Sequence, residues 1–374
     1  MSRLWKGCLV WAAVLCLVHS THADSVRIDW DQKTLTLIEP AAVYGRMIRL
    51  ASKEILCTYE KKGGVWTRKS RDDGRTWDRP IRVDDYLFGA AANPEILQLR
   101  NGWVLLSYNE RPKDGKHPFA IKVCVSRDGG ETWSASAQVY AADTRWENGC
   151  WEPAQIQLPS GQIQLFFANE NLYRASQEQE ITMVRSDDNG ASWSSPQTVS
   201  FRKGHRDGMP VPLILQGGKG IVVAIEDDGL NGAFKPAIVF SSLSENWAGG
   251  CVDGKSPRRW SALMTPLPSD VYAGAPYLRQ LAGGQTVLSV QSREGRQCEQ
   301  MVVYIGDENA RNFSGKSVPF DIPDNVPGRW NSLFIKDEAT ITAISSTTMK
   351  GTRGLWAIDG HVVRRQEPAE ESHR

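Results

Sequence analysis

An eight-residue motif, Ser-x-Asp-x-Gly-x-Thr/Ser-Trp, occurs three times in the first part of this 374-residue chain. The copies are SRDDGRTW (residues 70–77), SRDGGETW (residues 126–133) and SDDNGASW (residues 186–193). Their starts lie 56 and 60 residues apart. A regular period of this size indicates a chain built from repeated supersecondary units. The sequence therefore predicts a repeat protein.

The motif has the composition of a tight turn between two antiparallel strands. Its Asp can accept hydrogen bonds from backbone N–H groups a few residues on, and its Gly can adopt a positive φ. Its Trp supplies a large apolar surface that can pack between neighbouring repeats. We therefore predict a structural role for Asp72, Asp128 and Asp188. The spacing also lacks the terminal Glu of a calcium-binding EF-hand loop.

The rest of the chain alternates apolar segments with Gly-containing or polar turns, which is the pattern of successive β-hairpins. Five such segments are clear, and a fainter sixth covers residues 332–345. We expect residues 26–38 to pair with residues 355–363, because ring closure removes exposed sheet edges. The sequence thus predicts an all-β fold, a six-bladed β-propeller of four-stranded antiparallel blades.

The first 23 residues have the form of a secretory signal, with Arg3 and Lys6 before an apolar run and small residues up to Ala23. The apolar run is about half the length that a membrane-spanning helix requires. We therefore expect cleavage near Ala23 and a single mature domain over residues 24–374. The protein would be secreted or periplasmic, with no membrane span.

Charge and cysteine content exclude several other classes. Without the signal the net charge is about −1, which gives no electrostatic basis for binding nucleic acid. The five remaining cysteines are widely spaced and odd in number, so they suggest neither a disulfide framework nor a zinc motif. The sequence has no His-Glu-x-x-His segment and no Gly-x-Ser-x-Gly turn, which disfavours a metal hydrolase and a serine nucleophile. We expect a monomer without metal or cofactor.

Two segments combine carboxylates with aromatic or charged neighbours where a strand meets its loop. Glu152 follows Trp151, and Glu226 ends the strand that comes after HRDGMP (residues 205–210). Glycoside hydrolysis commonly uses two carboxyl groups, one as the acid and one as nucleophile or base. An apolar neighbour or nearby like charges can raise a carboxyl pKa into the working range. From the residues alone, the two glutamates are either a catalytic pair or ordinary surface groups.

The repeated motif is the Asp-box, and its three copies make the chain resemble the sialidase superfamily of six-bladed β-propellers. WEPAQIQLPSG (residues 151–161), RDGMPVPLILQGGKGIVVAIED (residues 206–227) and AGAPYLRQLAGGQTVLSVQ (residues 273–291) are similar to family 93 glycoside hydrolases, which are retaining exo-α-1,5-L-arabinanases. The resemblance implies that Glu152 and Glu226 are nucleophile and acid/base, in this order or the reverse. It also implies an oligo- or polysaccharide substrate, with an α-1,5-L-arabinan-like glycan as the best match.

An exo-α-sialidase is the alternative within the same superfamily. Such an enzyme clamps a substrate carboxylate with three arginines and uses a tyrosine nucleophile, here Tyr277 or Tyr304. Arg46 corresponds to the first arginine, although the proline of the superfamily's Arg-Ile-Pro is missing. A third possibility is a propeller that only binds glycan. The side chains predicted to contact a substrate are Arg46, Asn93, Arg111, Trp151, Arg206, Asp207, Tyr277 and Arg293.

Overall fold

The structure, a computed structural model, describes residues 26–364 and contains six antiparallel sheets arranged as the blades of a β-propeller. The predicted fold is therefore confirmed, whereas the predicted signal segment lies outside the described residues. First strands of adjacent blades contact one another all the way round, so they form the inner ring. In the described part of the chain no helix is long and apolar enough to cross a membrane.

Four consecutive strands form each of the first five blades. Blade 1 contains β3 (Val43–Arg49), β4 (Ile55–Lys61), β5 (Gly64–Ser70) and β6 (Ile81–Asp85). Blade 2 contains β7 (Gly89–Gln98), β8 (Val104–Pro112), β9 (Ala120–Ser126) and β10 (Ala137–Ala141). Blade 3 contains β11 (Cys150–Gln157), β12 (Ile163–Asn169), β13 (Glu180–Ser186) and β14 (Gln197–Ser200). Blade 4 contains β15 (Asp207–Leu215), β16 (Gly220–Asp227), β17 (Lys235–Ser241) and β18 (Arg259–Ser261). Blade 5 contains β19 (Ala273–Gln280), β20 (Thr286–Ser292), β21 (Gln300–Gly306) and β22 (Ser314–Ser317). Short 3-10 turns lie at Gln32–Thr34, Trp146–Asn148 and Gln216–Gly218.

Blade 6 joins the two ends of the described chain. It contains β23 (Arg329–Ile335), β24 (Thr340–Met349), β25 (Thr352–Arg364) and, as its outer strand, the N-terminal β1 (Val26–Trp30). β2 (Thr36–Pro40) also pairs with β25. The register runs from Val26 opposite Arg364 to Trp30 opposite Gly360. The predicted pairing of the two ends is thus confirmed.

The second strand of each blade is covered on both faces by neighbouring blades. This explains why β12, β16 and β20 are buried almost along their whole length instead of at alternate residues. Of the cysteines in residues 26–364, none forms a disulfide.

The Asp-boxes join the third and fourth strands of blades 1 to 3, as tight turns. In the first copy the Asp72 carboxylate accepts hydrogen bonds from the Thr76 hydroxyl at 2.6 Å and the Thr76 backbone N–H at 2.8 Å. These bonds lower the pKa of Asp72 to about 2. A Cβ on Gly130 of the second box would lie 2.9 Å from Leu56 of blade 1, which shows how closely each turn packs on the preceding blade. The structural role predicted for the boxes is confirmed.

Candidate active site

Each inner strand has a β-bulge near its start, and the six bulges surround one end of the ring axis. The residue at each bulge has a left-handed backbone, which is strained for residues other than glycine. The six residues all have φ between 48° and 58°, and they are Tyr44, Asn93, Glu152, Met209, Ala275 and Trp330. Bulges re-aim side chains and are frequent beside active sites. The Asp-boxes lie at the opposite end of the blades, because the strands are antiparallel.

Glu152 occupies the bulge position of blade 3. Its side chain is 16% exposed, and its Oε1 lies 3.8 Å from Nη2 of Arg111. Burial raises the pKa of Glu152 from its ordinary value of 4.5 to about 7, with a further increase from the charge of Glu226 and an opposing decrease from Arg111. A carboxyl group with this pKa can exchange a proton at neutral pH.

Glu226 ends the second strand of blade 4, opposite Gly208 of the inner strand. Its Oε2 accepts a hydrogen bond from the backbone N–H of Ala275 in blade 5 at 2.7 Å. Burial raises its pKa, whereas the Ala275 N–H and Arg206 oppose that increase. A Cβ on Gly274 would lie 2.3 Å from Oε2, and one on Gly208 would lie 3.0 Å from Oε1. The two glycines therefore provide the space that the carboxylate occupies.

The position of Glu226 belongs to a second six-fold set. In every blade one second-strand residue pairs with the residue that precedes the bulge, and these residues are Glu60, Asn109, Ala168, Glu226, Gln291 and Ser346. Gln291 accepts a hydrogen bond from the backbone N–H of Trp330, which is the bulge residue of the next blade. Glu226 makes the same kind of contact with Ala275. Ser346 accepts the N–H of Tyr44 at 3.1 Å. The N–H of Asn93 interacts with Glu60 in the same way.

Glu152 and Glu226 lie close enough to interact electrostatically. The charge of Glu226 raises the pKa of Glu152, and the charges of both glutamates raise the pKa of the Tyr272 phenol. Tyr44 also interacts electrostatically with Glu152. The structure thus brings together, from adjacent blades, the two carboxylates singled out in the sequence.

Trp151 and Arg206 are held together by Glu170, a buried residue that the sequence analysis did not identify. Trp151 donates its indole N–H to Glu170 Oε2 at 2.9 Å, and Arg206 forms an ion pair with the same carboxylate. The guanidinium of Arg111 lies 5.2 Å from the Trp151 ring centroid. Trp146 packs on Trp151 at a centroid distance of 4.6 Å and is 58% exposed, so it presents the open aromatic surface.

The four predicted arginines do not converge on one pocket. Arg111 faces Glu152 and Arg206 pairs with Glu170, whereas Arg46 lies 3.4 Å from Glu95 and Arg293 pairs with Glu299. The arrangement expected of a sialidase, three guanidinium groups around one carboxylate site, is therefore not found among them.

Three of the other predicted contacts are buried in the free protein. Arg46 and Tyr277 lie against each other near the ring axis, with the guanidinium 4.7 Å from the Tyr277 ring centroid and the phenol oxygen 3.2 Å from Glu95 Oε2. Asn93 is buried at the bulge of blade 2. These side chains are therefore not exposed at the surface of the described structure.

The predicted substrate contact through Asp207 is wrong. Its side chain is 0% exposed, and it forms a buried ion pair with Arg259 and accepts a hydrogen bond from Ser200 at 2.9 Å. Arg259 also pairs with Asp227 at 2.7 Å. Because Asp207 lies opposite Asp227, and Gly208 lies opposite Glu226, this cluster fixes the strand ends that carry Glu226.

A cleft of about 660 Å³ opens beside Arg111. Its wall includes Glu60, Arg111, Lys113, Arg145, Trp146 and Glu147. Within residues 26–364 no group of three or more His, Cys, Asp and Glu side chains is arranged to hold a metal ion.

The sequence signal that could have located the ring of bulges is the X-Pro dipeptide, which recurs at 93–94, 152–153, 209–210 and 275–276.

A family model described as a BNR repeat-like domain matches residues 102–218. Sequence comparison with curated proteins gives no match. Among solved structures, the α-L-arabinofuranosidase Arb93A of Fusarium graminearum is 20% identical, with a TM-score of 0.69 over 91% of this chain and 97% of that chain. The α-L-arabinanase of Penicillium chrysogenum is 18% identical, with a TM-score of 0.66 over 90% of this chain and 96% of that chain. The NanB sialidase of Streptococcus pneumoniae is 15% identical, with a TM-score of 0.56 over 88% of this chain and 70% of that chain.

The described chain is thus a six-bladed β-propeller in which residues 102–218 match a BNR repeat-like domain. The same fold is found in family 93 arabinofuranosidases and in sialidases.

Proposed function

We propose that the protein is a secreted, retaining exo-glycoside hydrolase that uses Glu152 and Glu226 and acts on an α-1,5-L-arabinan-like glycan. The observation that carries the proposal is the placement of two half-buried carboxylates at the inner-strand bulges of adjacent blades, where they interact electrostatically. Two such groups, one protonated and one ionised, are what glycoside hydrolysis requires. The shared fold with arabinan-degrading enzymes supports the choice of sugar.

We assign the nucleophile to Glu152 and the acid/base to Glu226. Burial favours the protonated form of both glutamates. At Glu152 the guanidinium of Arg111, 3.8 Å away, opposes burial and stabilises an anion; at Glu226 the Ala275 N–H and Arg206 oppose burial, and the charge of Asp228 adds to it. The order of the two roles follows the resemblance to family 93 glycoside hydrolases. When Glu226 is protonated, its repulsion no longer raises the pKa of Glu152, so the pair keeps one proton. Glu226 would protonate the leaving oxygen, and Glu152 would attack the anomeric carbon to form a glycosyl-enzyme intermediate. Glu226 would then deprotonate the water that releases the sugar.

The dispersed arginines count against sialidase activity. A substrate carboxylate would need guanidinium groups that are free to bind it, and the four candidates each face a protein carboxylate. Mixed charge around the cleft suits a neutral sugar better.

Hydrolysis of linear α-1,5-arabinan and of an α-linked sialoside, measured side by side, tests the proposal. Glu152→Gln and Glu226→Gln should each lower kcat/KM on arabinan by about 10²–10⁴-fold. Glu226→Gln is a well-matched variant, because Gln291 of blade 5 accepts the corresponding bulge N–H of blade 6 from Trp330, and a glutamine can therefore keep that contact. NMR of the first product should show retained anomeric configuration.

The outcomes separate the alternatives. Release of sialic acid, or arabinan hydrolysis that survives both substitutions, would refute the proposal. Binding of arabinan without hydrolysis would favour a glycan-binding propeller. With azide as an added nucleophile, the acid/base variant should give a glycosyl azide of retained configuration and the nucleophile variant one of inverted configuration, so the reverse pattern would exchange the two roles.

A further inference from the structure

The second and third Asp-boxes each pack their glycine on a leucine of the preceding blade. A Cβ on Gly130 of the second box would lie 2.9 Å from Leu56 of blade 1. One on Gly190 of the third box would lie 3.2 Å from Leu105 of blade 2. A Cβ on Gly74 of the first box would meet only atoms of its own blade, none closer than 3.9 Å. The first box therefore lacks the contact that the other two boxes make.

Blade 6 has a threonine where blades 1 and 2 have those leucines. In blades 1 and 2 the leucine lies opposite the last-but-one residue of the inner strand, and in blade 6 this position holds Thr342, opposite Phe334. The Thr342 hydroxyl donates to Asp359 Oδ1 at 2.6 Å, and Asp359 also pairs with Lys336. A polar group thus replaces the leucine at the interface between blades 6 and 1.

A cavity of about 410 Å³ lies at this interface, at the end of the ring opposite the candidate active site. Thr342 and Gly74 both line it, and the other side chains around it come from blade 1, from blade 6 and from the N-terminal residues 33–36. Its volume is within the range of small-molecule sites. The missing leucine therefore leaves room for a ligand.

The charge around the cavity is positive, because its carboxylates have partners and two of its cations do not. Asp359 is neutralised by the lysine named above, and Asp73 pairs with Arg49 at 2.9 Å. Lys33 and Arg75 are exposed at the cavity, and neither side chain forms an ion pair within residues 26–364. Ammonium and guanidinium groups are strong partners for a carboxylate. The cavity should therefore attract a carboxylate.

The interior suits an apolar ring better than a polyhydroxylated one. Met47 and Ile55 contribute apolar wall, and the hydroxyls of Thr34 and Thr36 already donate to backbone carbonyls at 2.7 and 2.9 Å. The buried indole N–H of Trp77, like those of the other two Asp-box tryptophans, has no acceptor within the described residues. One ligand oxygen can use that donor, whereas a sugar would lose several hydrogen bonds with water on entering.

We propose that this cavity binds an aromatic carboxylate. The carboxylate pairs with Lys33 and Arg75, and the ring enters the apolar part of the cavity beside Trp77. Such a ligand contacts residues 33–36, blade 6 and blade 1 together, so its binding stabilises the closed ring. The inference does not depend on the proposed function, because the cavity and the two glutamates lie at opposite ends of the ring.

Calorimetric titration of the protein with 4-hydroxybenzoate tests the site. The methyl ester of this acid is the matched neutral probe, and galacturonate is a carboxylate on a polyhydroxylated ring. The acid should bind about tenfold more tightly than either, because it alone combines the charge with an apolar ring. It should also raise Tm as its concentration increases.

Four variants locate the binding. Arg75→Gln and Lys33→Gln should each weaken the affinity for 4-hydroxybenzoate about fivefold. Thr342→Leu supplies the leucine that blades 1 and 2 have, so it should fill the cavity and abolish binding in a folded protein. Arg127→Gln is the matched control and should change nothing, because Arg127 belongs to the second Asp-box and lies against Trp103, 4.4 Å from its ring centroid.

Several results would overturn the site. They are no binding of 4-hydroxybenzoate, equal affinity for its methyl ester, binding of galacturonate that is as tight, and unchanged binding by a folded Thr342→Leu protein. Loss of binding in Arg111→Gln would place the ligand in the cleft near the two glutamates, which would also overturn it. If Thr342→Leu does not fold, the two charge variants decide, and unchanged affinity in both refutes the proposal.

Discussion

Gly274→Ala should displace Glu226 without replacing any titratable side chain. The new Cβ would lie 2.3 Å from Glu226 Oε2 and 2.6 Å from the Tyr272 hydroxyl. Ordinary contacts of a Cβ begin near 3.4 Å, so the carboxylate must move by about 1 Å and weaken its 2.7 Å bond from Ala275. Because a misplacement of about 1 Å can reduce a rate by 10²-fold, kcat/KM on arabinan should fall by about that factor.

A graded series makes this prediction specific. On Gly208 the added Cβ would approach Glu226 Oε1 to 3.0 Å, so Gly208→Ala should cause a smaller loss. On Gly249 the nearest atom is the flexible Arg258 guanidinium at 3.3 Å, and Gly249→Ala should change nothing. Thermal unfolding of each variant shows whether the fold is kept. Full activity of a folded Gly274→Ala protein would refute the role assigned to the position of Glu226.

Three further predictions concern stability. The pKa of Glu152 is raised from 4.5 to about 7, so the fold loses stability as pH rises from about 4.5 to about 7, and this loss is complete above that range. Glu152→Gln should therefore raise the free energy of unfolding by up to about 3 kcal/mol at pH 8 and hardly at pH 4. Equal effects at the two pH values in denaturant titrations would contradict this. Arg259→Ala should lower that free energy by about 3–5 kcal/mol, because Asp207 and Asp227 lose their shared partner inside blade 4; an unchanged denaturation midpoint would show that the cluster is dispensable. Asp128→Ala should lower Tm while leaving kcat/KM on arabinan unchanged, since its carboxylate holds a turn at the far end of the blade; a selective loss of kcat/KM would assign it to the site.

The number of blades was predictable from the sequence because the signals for it are local. An Asp-box is complete within eight residues, and the bonds it makes, such as Ser70 to Asp72 at 2.9 Å, lie within the motif. The pairing of the two chain ends could be predicted from the same count, because the six repeats leave one unpaired strand at each end of the chain.

Side-chain partners across the ring were not predictable in this way. Asp207 stands next to Arg206 in the sequence, yet its partner is Arg259, and the two neighbours point to different places because a strand alternates its faces. Glu60 lies near the end of β4 and is followed by two lysines in the sequence. Its local sequence is therefore that of a surface residue. Its place near Arg111 depends on how blades 1 and 2 pack, which no short stretch of sequence specifies.

The N-terminal strand that completes blade 6 makes the order of folding unusual. Blades 1 to 5 are each continuous in sequence and can form their hairpins from local contacts, whereas Val26 must find Arg364, 338 residues away. Contacts of such long range are slow to form, so ring closure is expected to be the last and slowest step. Until then β25 presents an unpaired edge to other chains, and aggregation competes with closure in that interval.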